Sequence, residues 1–392
     1  MGSLDGLKVL DFSTLLPGPY ASLMLADMGA EVLKISAPDR YDLVQHYGAH
    51  IEGTETTACS AWLGRNKKTM FLNLKTPEAK QIIRRLIMEY DIILEQFRPG
   101  VMDRLGLGYE ELRSVNPRLI YCSLTGYGQT GPLRDAAGHD INYMSRSGII
   151  SHAGRADSGP SLMNFQIADI AAGSLHSVIG ILAAVYSREQ TGQGQFVDVA
   201  MMDGCVPFNS LDGADFLVSG RQPQREGELL NGGCMYDYYE TSDGGYMSVG
   251  SLEPKFWAAF CRAIGREDLI SGTVRPEDMP KVKEEIREIF RSKTRDEWTE
   301  IFSGADACVQ PVMDLKEALL EDEQIRAREM VVEVDLPLHE NVKVRQMATP
   351  VRLSETPCEY RTAGYPEGYH TREIIESLGL DYEALAARGV FG

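Results

Sequence analysis

Three residues in this chain carry the groups that proton transfer at a carbon atom requires. His139 lies in Gly138-His139-Asp140-Ile141-Asn142-Tyr143, Asp169 in Gln166-Ile167-Ala168-Asp169-Ile170-Ala171-Ala172-Gly173, and Glu253 in Ser251-Leu252-Glu253-Pro254. An imidazole and a carboxylate facing one carbon can each alternate between acid and base, and a second carboxylate can orient the imidazole. Each residue also has an ordinary reading. His139 suits an exposed loop histidine, Asp169 an N-cap at the head of an apolar helix, and Glu253 an acidic residue attracted to a helix dipole. The other histidines, at positions 46, 50, 152, 176, 339 and 370, lack comparable polar neighbours.

A second group could bind anions. Phe97, Arg98 and Arg104 follow the apolar run Asp91-Ile92-Ile93-Leu94-Glu95, which reads as a strand. Open α/β sheets place ligands at the carboxyl ends of their strands, so the guanidinium groups could hold phosphates and Phe97 could face a base. The alternative is a solvated surface pair. Gly126-Tyr127-Gly128-Gln129-Thr130-Gly131 is flexible but lacks the Lys and Ser/Thr of a phosphate loop. The seven cysteines are odd in number, scattered and without a C-x-x-C pair, which predicts buried thiols in a reducing compartment, with no disulfide and no zinc.

The elements that must position these residues follow from hydrophobic patterning. Leu7 to Phe12, Glu31 to Ile35, Asp91 to Glu95, Leu119 to Leu124 and Phe196 to Ala200 read as strands. Tyr20 to Met28, Pro77 to Glu89 and Ala168 to Arg188 read as helices. Strand, helix and strand within about thirty residues is a βαβ unit, so the sheet should be parallel. The first turn carries Pro17-Gly18-Pro19 in place of G-x-G-x-x-G, which argues against a dinucleotide dehydrogenase.

The predicted layout is a large Rossmann-like α/β domain with an open parallel sheet over residues 1–225, completed by residues 326–392 and a C-terminal helix. A smaller α+β domain is inserted at residues 226–325, opening with a hairpin around Ser242-Asp243-Gly244-Gly245. The formal charge of −18 argues against a nucleic-acid surface. No run reaches the roughly 18 apolar residues of a membrane span. A cytoplasmic protein is the expectation.

Taken together, Leu16-Pro17-Gly18-Pro19-Tyr20, Arg98-Pro99-Gly100-Val101, Gly126 to Pro132, Thr191-Gly192-Gln193-Gly194-Gln195 and Asp306-Ala307-Cys308-Val309 resemble the class III CoA-transferase superfamily, which includes the α-methylacyl-CoA racemases. The segments around His139 and Glu253 resemble the racemase branch. That resemblance implies an acyl-CoA thioester substrate, with coenzyme A as part of the substrate and no permanently bound cofactor or metal. It further implies catalytic His139, Asp169 and Glu253, and an interlocked homodimer in which the partner could supply Glu253. CoA contacts would come from Arg98, Arg104, Phe97, Arg65, Gly138, Asp140 and Tyr143. Asn231, Cys234 and Met235, the lead-in Asn164 to Ala168, and Ala37 depart from the racemase pattern. CoA transfer through a covalently activated Asp169 therefore stands as the alternative activity.

Overall fold

A computed structural model describes residues 2–270, 274–275 and 277–392. The chain forms two compact units. The first comprises the chain up to Ser147, then Phe165–Val206 and Glu323–Gly392; the second comprises Gly148–Asn164 and Pro207–Asp322. Residues 148–164 and 207–225, expected in the large domain, thus belong to the second unit.

The first unit is built on a six-stranded sheet: β1 (Lys8–Asp11), β2 (Glu31–Ser36), β3 (Lys67–Phe71), β4 (Ile92–Glu95), β5 (Ile120–Thr125) and β6 (Phe196–Ala200). Every pairing is parallel and the order is β3-β2-β1-β4-β5-β6. β4 and β5 are buried along their whole lengths, because helices cover both faces of such a sheet and the strands must be apolar on both. The order reverses direction between β1 and β4, and at that switch point the loops beyond the carboxyl ends diverge to leave a crevice.

Helix Pro17–Asp27 follows β1, with proline in its first turn, where a missing N–H removes no internal bond. Thr76 caps helix Pro77–Leu86 by accepting from the Ala79 amide. The C-terminal segment closes the same core: Ile374, Ile375, Val390 and Phe391 pack with Leu10, Leu33 and Ile83. Strands β10 (Val331–Asp335) and β11 (Lys343–Met347) form a separate antiparallel hairpin in this unit.

The helical run Ile167–Thr191 is long and apolar enough to cross a membrane by length and composition. Within the first unit it packs against β5, β6 and helix Pro17–Asp27, burying Val178, Ile181 and Ala184, as the core helix of an α/β unit does.

The second unit contains a three-stranded antiparallel sheet of β7 (Asp237–Glu240), β8 (Tyr246–Val249) and β9 (Val309–Pro311). Helices Pro254–Ala263, Met279–Phe290 and Arg295–Ser303 supply Phe260, Phe290, Trp298 and Phe302 to its core. Thr241 and Asp243 bond across the tight turn of the β7–β8 hairpin, where Gly244 has a φ of 79°. All seven cysteines are free; Cys122, Cys205 and Cys261 are buried, whereas Cys308 is exposed.

Candidate active site

Helix Asp140–Ser147 and the start of the helical run at Ile167 pack together in the first unit and bring the segments of His139 and Asp169 to one place. His139 immediately precedes the first helix. Its amide donates to Asn142 Oδ1 at 3.0 Å and its carbonyl accepts from the Asn142 amide at 2.8 Å. These bonds fix the backbone and leave the imidazole exposed.

The next residue joins the two helices. Asp140 Oδ1 accepts from the Asp169 amide at 3.0 Å, and the same carboxylate is bonded by the Ala168 amide. Amides in the first turn of a helix have no internal partner. Asp140 satisfies them from a distant part of the chain, which corrects one reading made from sequence. Asp169 is not the cap of its own helix, and the side chain of Asp140, expected at CoA, is bonded to that helix.

With capping supplied by Asp140, the Asp169 carboxylate is free for chemistry. It lies in the stretch Ile167–Ser174, which is wound as a π-helix, a geometry that recurs at functional sites. Burial, followed by the negative charge of Asp140, pushes its carboxyl from 3.8 up to about 7. A base with that affinity takes and returns protons near neutrality.

Tyr143 and Gly138 form the floor beside this pair. The Tyr143 hydroxyl donates to the Gly138 carbonyl at 2.6 Å, and its ring meets Tyr127 edge-on at 5.2 Å. A Cβ on Gly138 would come within 2.7 Å of the Tyr143 ring, and one on Gly126 within 2.5 Å. Gly138 and Tyr143, expected at CoA, are tied to each other by this bond and by close packing. Burial and then the Asp169 charge push the Tyr143 phenol up to about 12, while Arg98 acts in the opposite direction.

Arg98 and Arg104 are exposed just beyond β4. Phe97 is anchored through its amide to Glu95 Oε2 at 2.8 Å. Glu95 is itself pushed up to about 7 by burial, against the lowering effects of Ser123 and the Phe97 amide. Arg40, after β2, places its guanidinium 5.3 Å from the centre of the Phe97 ring. It joins this cationic edge.

Arg65 does not join it. The residue is fully buried, with Nη2 donating to Asp27 Oδ2 at 2.6 Å and Nη1 to Gln346 Oε1 at 2.9 Å and the Met347 carbonyl at 3.0 Å. Its fork is occupied by protein acceptors, so the assignment to CoA is withdrawn.

Glu253 belongs to the second unit. It is the N-cap residue of helix Pro254–Ala263, yet its side chain makes no capping bond and is exposed. Its charge raises the nearby Cys308 thiol, after burial as the larger cause. The same unit has a cleft of about 690 Å³ lined by Arg155, Tyr236, Tyr238, Val249, Gly250 and Cys308 among others. Arg155 is ion-paired there with Glu226 and Asp237 at 2.8 and 2.7 Å. Among the described residues no cluster of His, Cys, Asp and Glu could hold a metal ion.

The model of CoA-transferase family III matches residues 4–371. Human alpha-methylacyl-CoA racemase is 35% identical, covering 98% of this chain and 95% of its own. Succinate–glutarate CoA-transferase of Agrobacterium fabrum is 31% identical, covering 96% and 95%. A CAIB/BAIF family protein from Brucella suis superposes with a TM-score of 0.83 at 28% identity, covering 96% of this chain and 99% of its own.

Proposed function

Because the chain belongs to CoA-transferase family III, its substrates are CoA thioesters, and we propose that it epimerises 2-methylacyl-CoA thioesters by 1,1-proton transfer. One observation carries this reading. The residue following His139 holds the amide of Asp169, so an imidazole and a carboxylate with a pKa of about 7 share one locus.

In the forward direction the Asp169 carboxylate takes the α-proton, the C–H electron pair passes into the thioester as an enolate, and the His139 imidazolium returns a proton to the opposite face. The reverse direction exchanges the two roles. The enolate oxygen needs donors, and the Ala168 and Asp169 amides are spent on Asp140. The Asp140 and Ile141 amides at the start of helix Asp140–Ser147 are the alternative, since the opening of a helix leaves its first amides without internal partners. Phe97, Arg98, Arg104 and Arg40 are assigned to the nucleotide end of CoA. Glu253 is assigned to orienting the imidazole within a homodimer. Support for self-association comes from helix Ser210–Ser219, which has no buried residue and exposes Leu211, Leu217 and Val218. A reducing cytosol is the proposed setting for the free thiols.

The test is α-hydrogen exchange of a 2-methylacyl-CoA in deuterated water. His139→Ala and Asp169→Ala should each slow exchange by about 10²- to 10⁴-fold; undiminished exchange in both variants sinks the two-base reading. CoA transfer is the second reading, favoured by the 31% identity to a transferase over nearly the whole chain. There Asp169 would attack the thioester carbonyl, release CoA thiolate and form a mixed anhydride. Thiolate attack on the aspartyl carbonyl would then give an enzyme thioester and free the donor acid. Hydroxylamine trapping that depends on Asp169, with no α-exchange, would decide for transfer.

A further inference from the structure

Behind the first turn of helix Pro17–Asp27 lies a recess of about 20 Å³, room for a single atom-sized occupant. Two lysines line it, Lys34 of β2 and Lys67 of β3, together with Gln45, Thr69, Tyr365 and Glu367. The lysines are 6% and 3% exposed. The carboxylate between them is Asp11, fully buried, but its oxygens accept from the Ser13 amide, the Ser13 hydroxyl and the Ser22 hydroxyl. The ammonium groups consequently stand 3.8 and 3.7 Å from it, beyond hydrogen-bond distance.

An ammonium has three donors. Lys67 Nζ uses two of them, on the Pro19 carbonyl at 2.8 Å and the Ser22 hydroxyl at 2.7 Å. Lys34 Nζ makes no hydrogen bond to any described residue. Glu367 accepts from the Ser36 hydroxyl at 2.7 Å, and neither lysine is paired with it among the described ion pairs. Lys34 Nζ and one donor of Lys67 Nζ are therefore left unspent beside a committed aspartate, and both lysines line the recess. Burial is the main cause lowering Lys67 to about 8, opposed by the charges of Asp11 and Asp27 and reinforced by that of Lys34. A buried charge without a hydrogen-bond partner is among the more destabilising features a fold can contain.

We propose that this recess is a binding site for one small monovalent inorganic anion of chloride size, held by the Nζ atoms of Lys34 and Lys67. The site also bears on Asp169. Lys67 holds the Pro19 carbonyl, and in the same turn the Pro17 carbonyl accepts from the Ser174 hydroxyl at 2.6 Å; that hydroxyl also reaches the Asp169 carbonyl at 3.0 Å. The anion thus braces the turn to which the Asp169 helix is tied.

Crystals of the whole chain soaked in sodium bromide test this directly. An anomalous bromide peak within hydrogen-bond reach of both Nζ atoms supports the site, and a water there without anomalous signal overturns it. In solution at constant ionic strength, the thermal midpoint should climb by several degrees as chloride replaces gluconate, since a ligand of the native state stabilises it. Lys34→Met should lose that climb. Wild-type midpoints indifferent to the anion would count against the proposal.

Discussion

At Asp169 the ionised carboxylate is the reactive form and also the disfavoured one. A carboxyl whose folded pKa is raised, here from 3.8 to about 7, adds stability below pH 3.8 that is lost as pH rises through about 7. Asp169→Asn has no such loss. It should slow α-exchange by about 10²- to 10⁴-fold, as Asp169→Ala does, while being more stable than wild type by about 1–2 kcal/mol at pH 8 after allowance for partial solvent contact. Melting curves at pH 5 and pH 8 should show the gap widening with pH; a variant less stable at pH 8 would contradict the burial argument. Asp140→Asn keeps an oxygen for the amides but removes the neighbouring charge. The acidic limb of the exchange rate should then move to lower pH without reaching 3.8, because burial, the larger cause, remains. A limb that stays in place would assign the elevated pKa to burial alone. His139 and Asp169 were named as candidates from residue type and immediate neighbours. The bond that organises them was not, because Asp140 and Asp169 are 29 positions apart and no local pattern announces their contact. Arg65 misled for the same reason: its partner Asp27 lies 38 positions away.

Among the elements, β1, β2, β4 and β5 were readable because strands covered on both faces must be apolar. β3 was not, since Lys67 and Lys68 open it and a lysine buried beside Asp11 looks like a loop residue in sequence. The strand ends separate two kinds of arginine. Arg65→Ala removes one member of a buried pair and should destabilise the first unit by about 3–5 kcal/mol. Arg98→Ala and Arg104→Ala, both on the exposed edge after β4, should leave the thermal midpoint nearly unchanged and raise KM for the CoA thioester several-fold. Parallel melting and kinetic measurements check the contrast. A KM effect from Arg65→Ala in a fully folded sample would restore the assignment withdrawn above.

For the whole chain, the parallel sheet and an inserted smaller unit were both anticipated. The allegiance of residues 148–164 was not, because Arg155 reveals its place only through Glu226 and Asp237, more than seventy positions downstream. Sedimentation should find a dimer at micromolar concentration, and Leu217→Glu with Val218→Glu on helix Ser210–Ser219 should shift it toward monomer; a monomeric wild type would remove the homodimer from the proposed mechanism. The sequence order of the first unit has a further implication for how the protein is made. β3 is bonded by its Thr69 amide to His370 Nδ1 and by its Phe71 amide to the Thr371 hydroxyl, and the Asn73 amide just beyond it donates to the Val390 carbonyl. On a ribosome that has translated only as far as the second unit, those partners do not yet exist. The open edge of the sheet is then exposed to other nascent chains for as long as translation continues, so slow elongation through the last third of the message favours misassembly.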